Sequence, residues 1–302
     1  MDQASGLRKL KDEIALPTKA SISVVKKSSA KIYAVSSGKG GVGKTTVTVN
    51  LAIALAKANK KVLVLDGDLG LANINVILGI IPKFTLYHVI KGHKTLQEVV
   101  LETAEGIDII PGASGYSQLA DLDSTARESL IQNIMEINDY DYILIDTGAG
   151  IGSIVISLIL AADEVLIVTT PEPTSITDSY GLIKSITNRN KDFKLNVVIN
   201  KAKDELEGKK VARRVIDISQ KFLNVLPYEI GLIYRDEEVE RSILAQKPFL
   251  VTAPRSRASD CMMRLSQQIL NTTIETPAVN DENRLTSYFR RFFHLADHKD
   301  GA

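Results

Sequence analysis

Short, mostly β-branched apolar runs recur along the chain, with helical patterns between them. They fall at residues 32–35, 62–65, 107–110, 142–145, 165–168 and 197–199. Several are apolar at every position instead of alternating, as a strand covered on both faces must be. Strands separated by helical stretches of about 10 to 15 residues predict βαβ units and an α/β fold: a mostly parallel, twisted sheet with helices on both faces. No internal repeat interrupts this pattern. Three segments stand apart from it. Residues 1–16 carry Leu7, Leu10 and Ile14 at helical spacing, and Pro17 then opens a polar tether over 17–30. Residues 271–281 are polar, contain Pro277 and read as a linker, and 282–300 form a separate helix candidate. One core domain over 31–270 is therefore expected to carry two appendages.

Composition changes this picture little. The 302 residues are 44% hydrophobic and 24% charged, enough for a sizeable core. A net charge of +1 provides no global field toward nucleic acid or anionic lipid, so such binding needs a local patch. The single cysteine, Cys261, excludes an internal disulfide or a multi-cysteine metal site and fits a reducing compartment. The first 16 residues lack a secretory pattern. The greasiest stretch, 154–162, includes Ser157, stops at Asp163 and is too short to span a bilayer. A cytosolic protein is expected.

The candidate chemistry sits after the first predicted strand. Gly38-Lys39-Gly40-Gly41-Val42-Gly43-Lys44-Thr45-Thr46 precedes a helical run, and Gly38, Gly43, Lys44 and Thr45 satisfy the phosphate-loop pattern in its required strand–helix context. Glycines let the backbone curl until successive amides face one phosphate, and the helix brings its positive end to the same point. Lys44 then reaches the β- and γ-phosphates of ATP, and the Thr45 hydroxyl ligates Mg²⁺. The bland alternative is a glycine-rich turn with no ligand.

Lys39, a second lysine in the loop, is not needed by an ordinary phosphate loop. The run K-G-G-x-G-K-[ST]-[ST] resembles the signature of the MinD/ParA (deviant Walker A) family of P-loop ATPases. The resemblance implies an ATP-sandwiched homodimer in which Lys39 crosses to the partner's phosphates; otherwise Lys39 is a solvated loop lysine. It further implies that Asp68 is the switch I aspartate that orients the attacking water, and that Asp66 serves Mg²⁺ through water or shapes the strand end. The run 140–146 resembles Walker B and ends in Asp146, a Mg²⁺-side carboxylate acting through water, and 147–150 resembles switch II. Asn200 looks like the family's adenine-contacting asparagine, with a helix cap as the plain alternative. One departure is Tyr234, where the family's G-x-I-P-x-D pattern has proline.

Within that family, one cysteine is too few for the cluster carriers and electron donors, and a tail with only Tyr288 does not suit the tyrosine kinases. In the tail, Leu285, Tyr288, Phe289, Phe292 and Phe293 form one helical stripe, with Arg284, Arg290, Arg291 and His294 off it. This reads as an in-plane anchor for anionic membrane, against the alternative of a terminal helix packed on the core. The start, with Asp2, Gln3, Ala4, Leu7 and Arg8, is similar to the D-Q-A-x-x-L-R motif of flagellar number regulators (FlhG, also called FleN). That likeness implies binding to the SRP-type placement GTPase FlhF, with Gln3 acting in its site, and flagellar switch-complex proteins as further partners. The expected behaviour is that of an ATP-hydrolysing switch at the inner face of the cell membrane. The rivals are a ParA-type DNA segregator using Lys209, Lys210, Arg213 and Arg214, and a MinD-type division regulator. DNA binding is the weaker reading, since that charge run suits a solvated helix face.

Overall fold

A computed structural model describes residues 30–68, 73–112, 122–135, 137, 139–272 and 283–297. The partner-binding candidates Asp2, Gln3, Ala4, Leu7 and Arg8 lie outside these, as do switch I residues 69–72. The strands are β1 (Lys31–Ser37), β2 (Val62–Gly67), β3 (Leu101–Glu102), β4 (Asp108–Ile110), β5 (Tyr142–Ala149), β6 (Glu164–Thr169), β7 (Lys194–Ala202) and β8 (Tyr228–Tyr234). Among the described residues they form one sheet in the order β3-β4-β2-β5-β1-β6-β7-β8. Every pairing is parallel except β3 with β4. β1 lies centrally, between β5 and β6, and its carboxyl end is where an open α/β sheet binds ligands.

All six predicted strand positions hold. β8 escaped the pattern because Glu229 and Gly231 interrupt its apolar run, as an edge strand tolerates. At Gly231 a Cβ would come within 2.9 Å of Leu265 Cδ1, which would have to shift.

Side chains alternate between two layers, so in β1 Ile32 and Ala34 join one core cluster, Tyr33 and Val35 the other. The second layer holds α1 (Lys44–Lys57), α2 (Ile74–Ile77), α9 (Glu237–Leu244), α10 (Phe249–Thr252) and α11 (Arg257–Thr272). The first holds α3 (Leu86–Ile90), α4 (Leu96–Val99), α5 (Ser124–Met135), α6 (Ser153–Ala161), α7 (Pro173–Thr187), α8 (Glu205–Leu223) and α12 (Arg284–Asp297).

α12 corrects the expectation of a detached tail. The helix is where the spacing put it, but it packs on α6 and α5 as part of the first core layer. Leu285, Tyr288, Phe289, Phe292 and Phe293 are 0–5% exposed. The anchor stripe is therefore core in this state. The physical reason lies in α6, whose residues Val155 to Ile159 and Ala161 are all buried: the sheet covers one side, and α12 the other. A helix apolar all round needs both covers.

Candidate nucleotide and switch site

The loop between β1 and α1 takes its shape from two left-handed residues, Gly41 (φ +80°) and Gly43 (φ +91°), a conformation that L side chains avoid. Gly43 is also the residue ahead of α1, so the helix amides open directly onto the loop. Gly40 and Gly41 have open space where a Cβ would stand, which leaves room for a phosphate. Gly38 meets the opposite constraint: a Cβ would sit 2.2 Å from the Asp178 carbonyl, so α7 passes close against the loop.

Lys44 is buried and its ammonium lies 2.9 Å from Asp146 Oδ1. The same oxygen accepts from Thr48 Oγ1 at 2.9 Å. The other oxygen, Oδ2, is buried with no hydrogen-bond partner among the described residues. Asp66 stands beside Asp146 in register on the adjoining strand, 1% exposed. Burial first, and the Asp146 charge second, push the Asp66 carboxyl up to about 7. The amides of Asp68 and Ile74 donate to it at 3.2 and 3.4 Å and pull the other way. Two buried carboxylates side by side, one with an orphaned oxygen, suit a hard divalent cation held partly through water. The donor set fits Mg²⁺.

Asp68 ends the described part of switch I, and its Oδ1 is near Gly148 of switch II, 3.7 Å from where a Cβ would be. Switch II is tied to the loop's base, since the Gly150 amide donates to the Ser37 carbonyl at 2.8 Å. Thr147 Oγ1 donates within hydrogen-bond reach of Ser36 Oγ (2.9 Å).

Lys39 points to its own subunit. Its Nζ donates to Glu172 Oε2 (2.9 Å) and Thr174 Oγ1 (3.1 Å) at the start of α7. Lys39 holds the Glu172 carboxyl below the usual range. The pair is largely exposed and so easily exchanged. Glu172 and Thr174 are absent from the sequence-based site; the available signal was an acid between two prolines, Pro171 and Pro173, just past a strand's carboxyl end.

Asn200 braces the loop: Nδ2 donates to the Val42 carbonyl at 2.8 Å, and Oδ1 accepts the Lys201 amide at 2.9 Å. Lys201 Nζ reaches the Gly41 carbonyl at 2.9 Å. Asn200 is not a helix cap, since Asp204 caps α8 through the Glu207 amide. Thr45 and Thr46 stand in the first turn of α1, Thr46 at 9% exposure. Tyr234, at the family's proline position, ends β8 under the Arg257 guanidinium, 4.7 Å from its ring centre. On α8, Lys209 is paired with Glu205, so the basic run proposed for DNA is partly neutralised. The structure thus brings Gly38 to Thr46, Asp66, Asp68, Asp146 and Asn200 together at the carboxyl ends of the central strands, and leaves the tail stripe elsewhere.

A family model described as an AAA domain matches residues 30–202. The chain is 41% identical over 240 residues to the antiactivator FleN of Pseudomonas aeruginosa, covering 79% of this chain and 86% of FleN. It is 36% identical over 270 residues to the flagellum site-determining protein YlxH of Helicobacter pylori, covering 88% and 90%. Among solved structures, MinD of Pyrococcus horikoshii complexed with Mg-ADP superposes with a TM-score of 0.65 at 28% identity, over 80% of this chain and 96% of that one.

Proposed function

The chain belongs to the MinD/ParA-type P-loop ATPases and resembles the flagellar number regulator FlhG (FleN), and from that premise we propose that it is an ATP-dimerising switch governing flagellar number or placement. It hydrolyses ATP. The loop amides and Lys44 bind the phosphates, Lys44 exchanging Asp146 for them. Asp68 positions a water whose oxygen bonds to the γ-phosphorus while the bond to the β–γ bridging oxygen breaks. Its role is orientation, since a carboxylate beside a divalent cation is a weak base. Mg²⁺, when bound, draws charge from the phosphate oxygens; Thr45 would hold it directly, Asp66 and Asp146 through water. Asn200 contacts adenine by giving up its bond to Val42.

The observation that carries the switch reading is Lys39 at rest on Glu172 and Thr174. In the dimer it leaves them for the partner's phosphates. α12 leaves its groove in the same state, and two weak anchors then hold an anionic membrane together, at the inner face of the cell membrane. The segment 1–16 engages an SRP-type GTPase (FlhF), with Asp2, Gln3, Ala4, Leu7 and Arg8 as the contact; switch-complex proteins are further partners. The test is a count of flagella per cell in a strain lacking the gene. The wild-type gene should restore the native count and Lys39→Ala should not; rescue by Lys39→Ala, or a deletion strain with normal flagella, overturns the reading.

A further inference from the structure

α12 is held by more than its apolar stripe. At its start the Arg284 guanidinium donates through Nε to the Ala30 carbonyl (3.1 Å) and through Nη2 to Asp163 Oδ2 (2.6 Å). Asp163 Oδ2 also accepts the Ile32 amide at 2.9 Å, so this carboxylate joins the helix to the beginning of β1. Arg291 lies seven residues further along the same helix and aims at the same carboxylate. It stops 3.8 Å from Asp163 Oδ1, an ion-pair distance beyond hydrogen-bond reach. Its Nε and Nη2 are buried without a hydrogen-bond partner among the described residues. Burial draws the Arg291 pKa down, and the nearby Arg284 charge adds to this against the pull of Asp163. At the far end the Arg127 fork holds Asp297 at 2.5 and 2.7 Å.

Two guanidiniums converging on one oxyanion, Arg284 bonded to it and Arg291 at ion-pair distance, is also an arrangement in which arginines take a phosphate. We propose that Asp163 stands in for a phosphate: it latches docked α12 through Arg284, with Arg291 drawn beside it but unbonded, and an anionic phospholipid headgroup opens the latch by taking both arginines. The inference rests on the membrane reading above and deepens it, because the bilayer becomes an effector of release as well as its destination. Arg291, with buried donors unmet while docked, gains its missing acceptors on leaving. The nucleotide end acts on the same helix from the other side. α6, whose Leu158 carbonyl accepts the Tyr288 hydroxyl at 3.2 Å, starts directly after switch II.

Hydrogen exchange of α12 amides in the full-length, ADP-bound chain tests the latch. Phosphatidylglycerol vesicles should accelerate it by roughly tenfold, an ordinary coupling between sites, and phosphatidylcholine vesicles should not. Equal acceleration by soluble glycerol phosphate at matched headgroup concentration assigns the site to free phosphate and overturns the lipid version. Asp163→Asn should exchange fast without lipid and bind phosphatidylglycerol vesicles without ATP. Because Asp163 also caps the Ile32 amide, exchange in β1 and β5 is read alongside to separate release from unfolding. Arg291→Met removes the unmet donors and should move the opposite way, slowing α12 exchange in lipid-free protein. If wild type ignores phosphatidylglycerol vesicles even with ATP, the membrane reading itself fails. If wild type binds in ATP while Asp163→Asn and Arg291→Met exchange like it, only the latch fails.

Discussion

At the scale of single residues, two neighbouring aspartates on the second strand and its exit do different work. In the mechanism proposed above, Asp68 orients water and makes none of the loop's phosphate contacts. Asp68→Ala should therefore keep ATP binding and dimerisation while turnover falls by about a hundredfold or more, the cost of lost positioning. A phosphate-release assay beside an equilibrium binding measurement decides it, and wild-type turnover in the variant sinks the assignment. Asp66 carries a carboxyl raised from 3.8 to about 7. A raised carboxyl holds its proton in the fold over a range where the unfolded chain has released it, so stability falls as pH rises from about 4 to about 7 and the loss is complete above that. In EDTA, Asp66→Asn should flatten this slope and gain stability over wild type by a few kcal/mol at pH 8. With Mg²⁺ and ATP the same variant should turn over more slowly. Urea melts of both proteins at pH 5 and 8 provide the check; parallel slopes would mean that Asp66 titrates normally.

At the scale of elements, α12 and α6 depend on each other. Phe289 and Phe292 are fully buried against α6 and α5, and removing one such ring from a core costs about 3 to 5 kcal/mol. Phe289→Glu with Phe292→Glu places two charges there and should drive α12 off, exposing the outer face of α6. The variant should lose ATP-dependent binding to anionic vesicles and retain ATP hydrolysis, because the loop, Asp68 and Asp146 belong to other elements. Its melting temperature and solubility should also fall, which a detached tail would not cause. Co-sedimentation and calorimetry on one preparation test both halves. Binding that persists in ATP shows that the stripe is not the anchor, and an unchanged melt shows that α12 does not support the core.

At the scale of the whole molecule, the proposed switch has its site finished by a second copy. One subunit supplies the loop, both buried carboxylates and Asp68, yet its Lys39 rests on its own Glu172. Lys39→Ala should bind ATP as a monomer with near-native affinity and fail to dimerise. Light scattering with ATP and Mg²⁺ gives the mass directly, and a dimer that persists in the variant removes the cross-subunit role. Glu172→Gln makes a second arm: freed of its exposed resting partner, Lys39 should let dimers form at least as readily as in wild type.

Local spacing alone was enough to determine six of the eight described strands, the phosphate loop and the stripe of α12. Apolar runs, positive-φ glycines and 3.6-residue periodicity are properties of neighbouring residues, and they hold wherever the segment finally lies. The acid that closes the apolar run of β5, Asp146, and the lysine beside Gly38 were legible for the same reason. Partners distant in sequence were not. Glu172 meets Lys39 across 133 residues, and Asp163 meets Arg284 across 121. No periodicity specifies such pairs; only strand order and helix placement do. The clearest case is the tail. Its stripe predicted a buried face correctly but could not say whether lipid or protein buries it, because the hydrophobic effect is non-directional. The uniformly apolar α6 held half of the answer in the sequence, as a helix still lacking a cover. Only the tertiary structure, by laying the sheet on one side of α6, left the other side for α12.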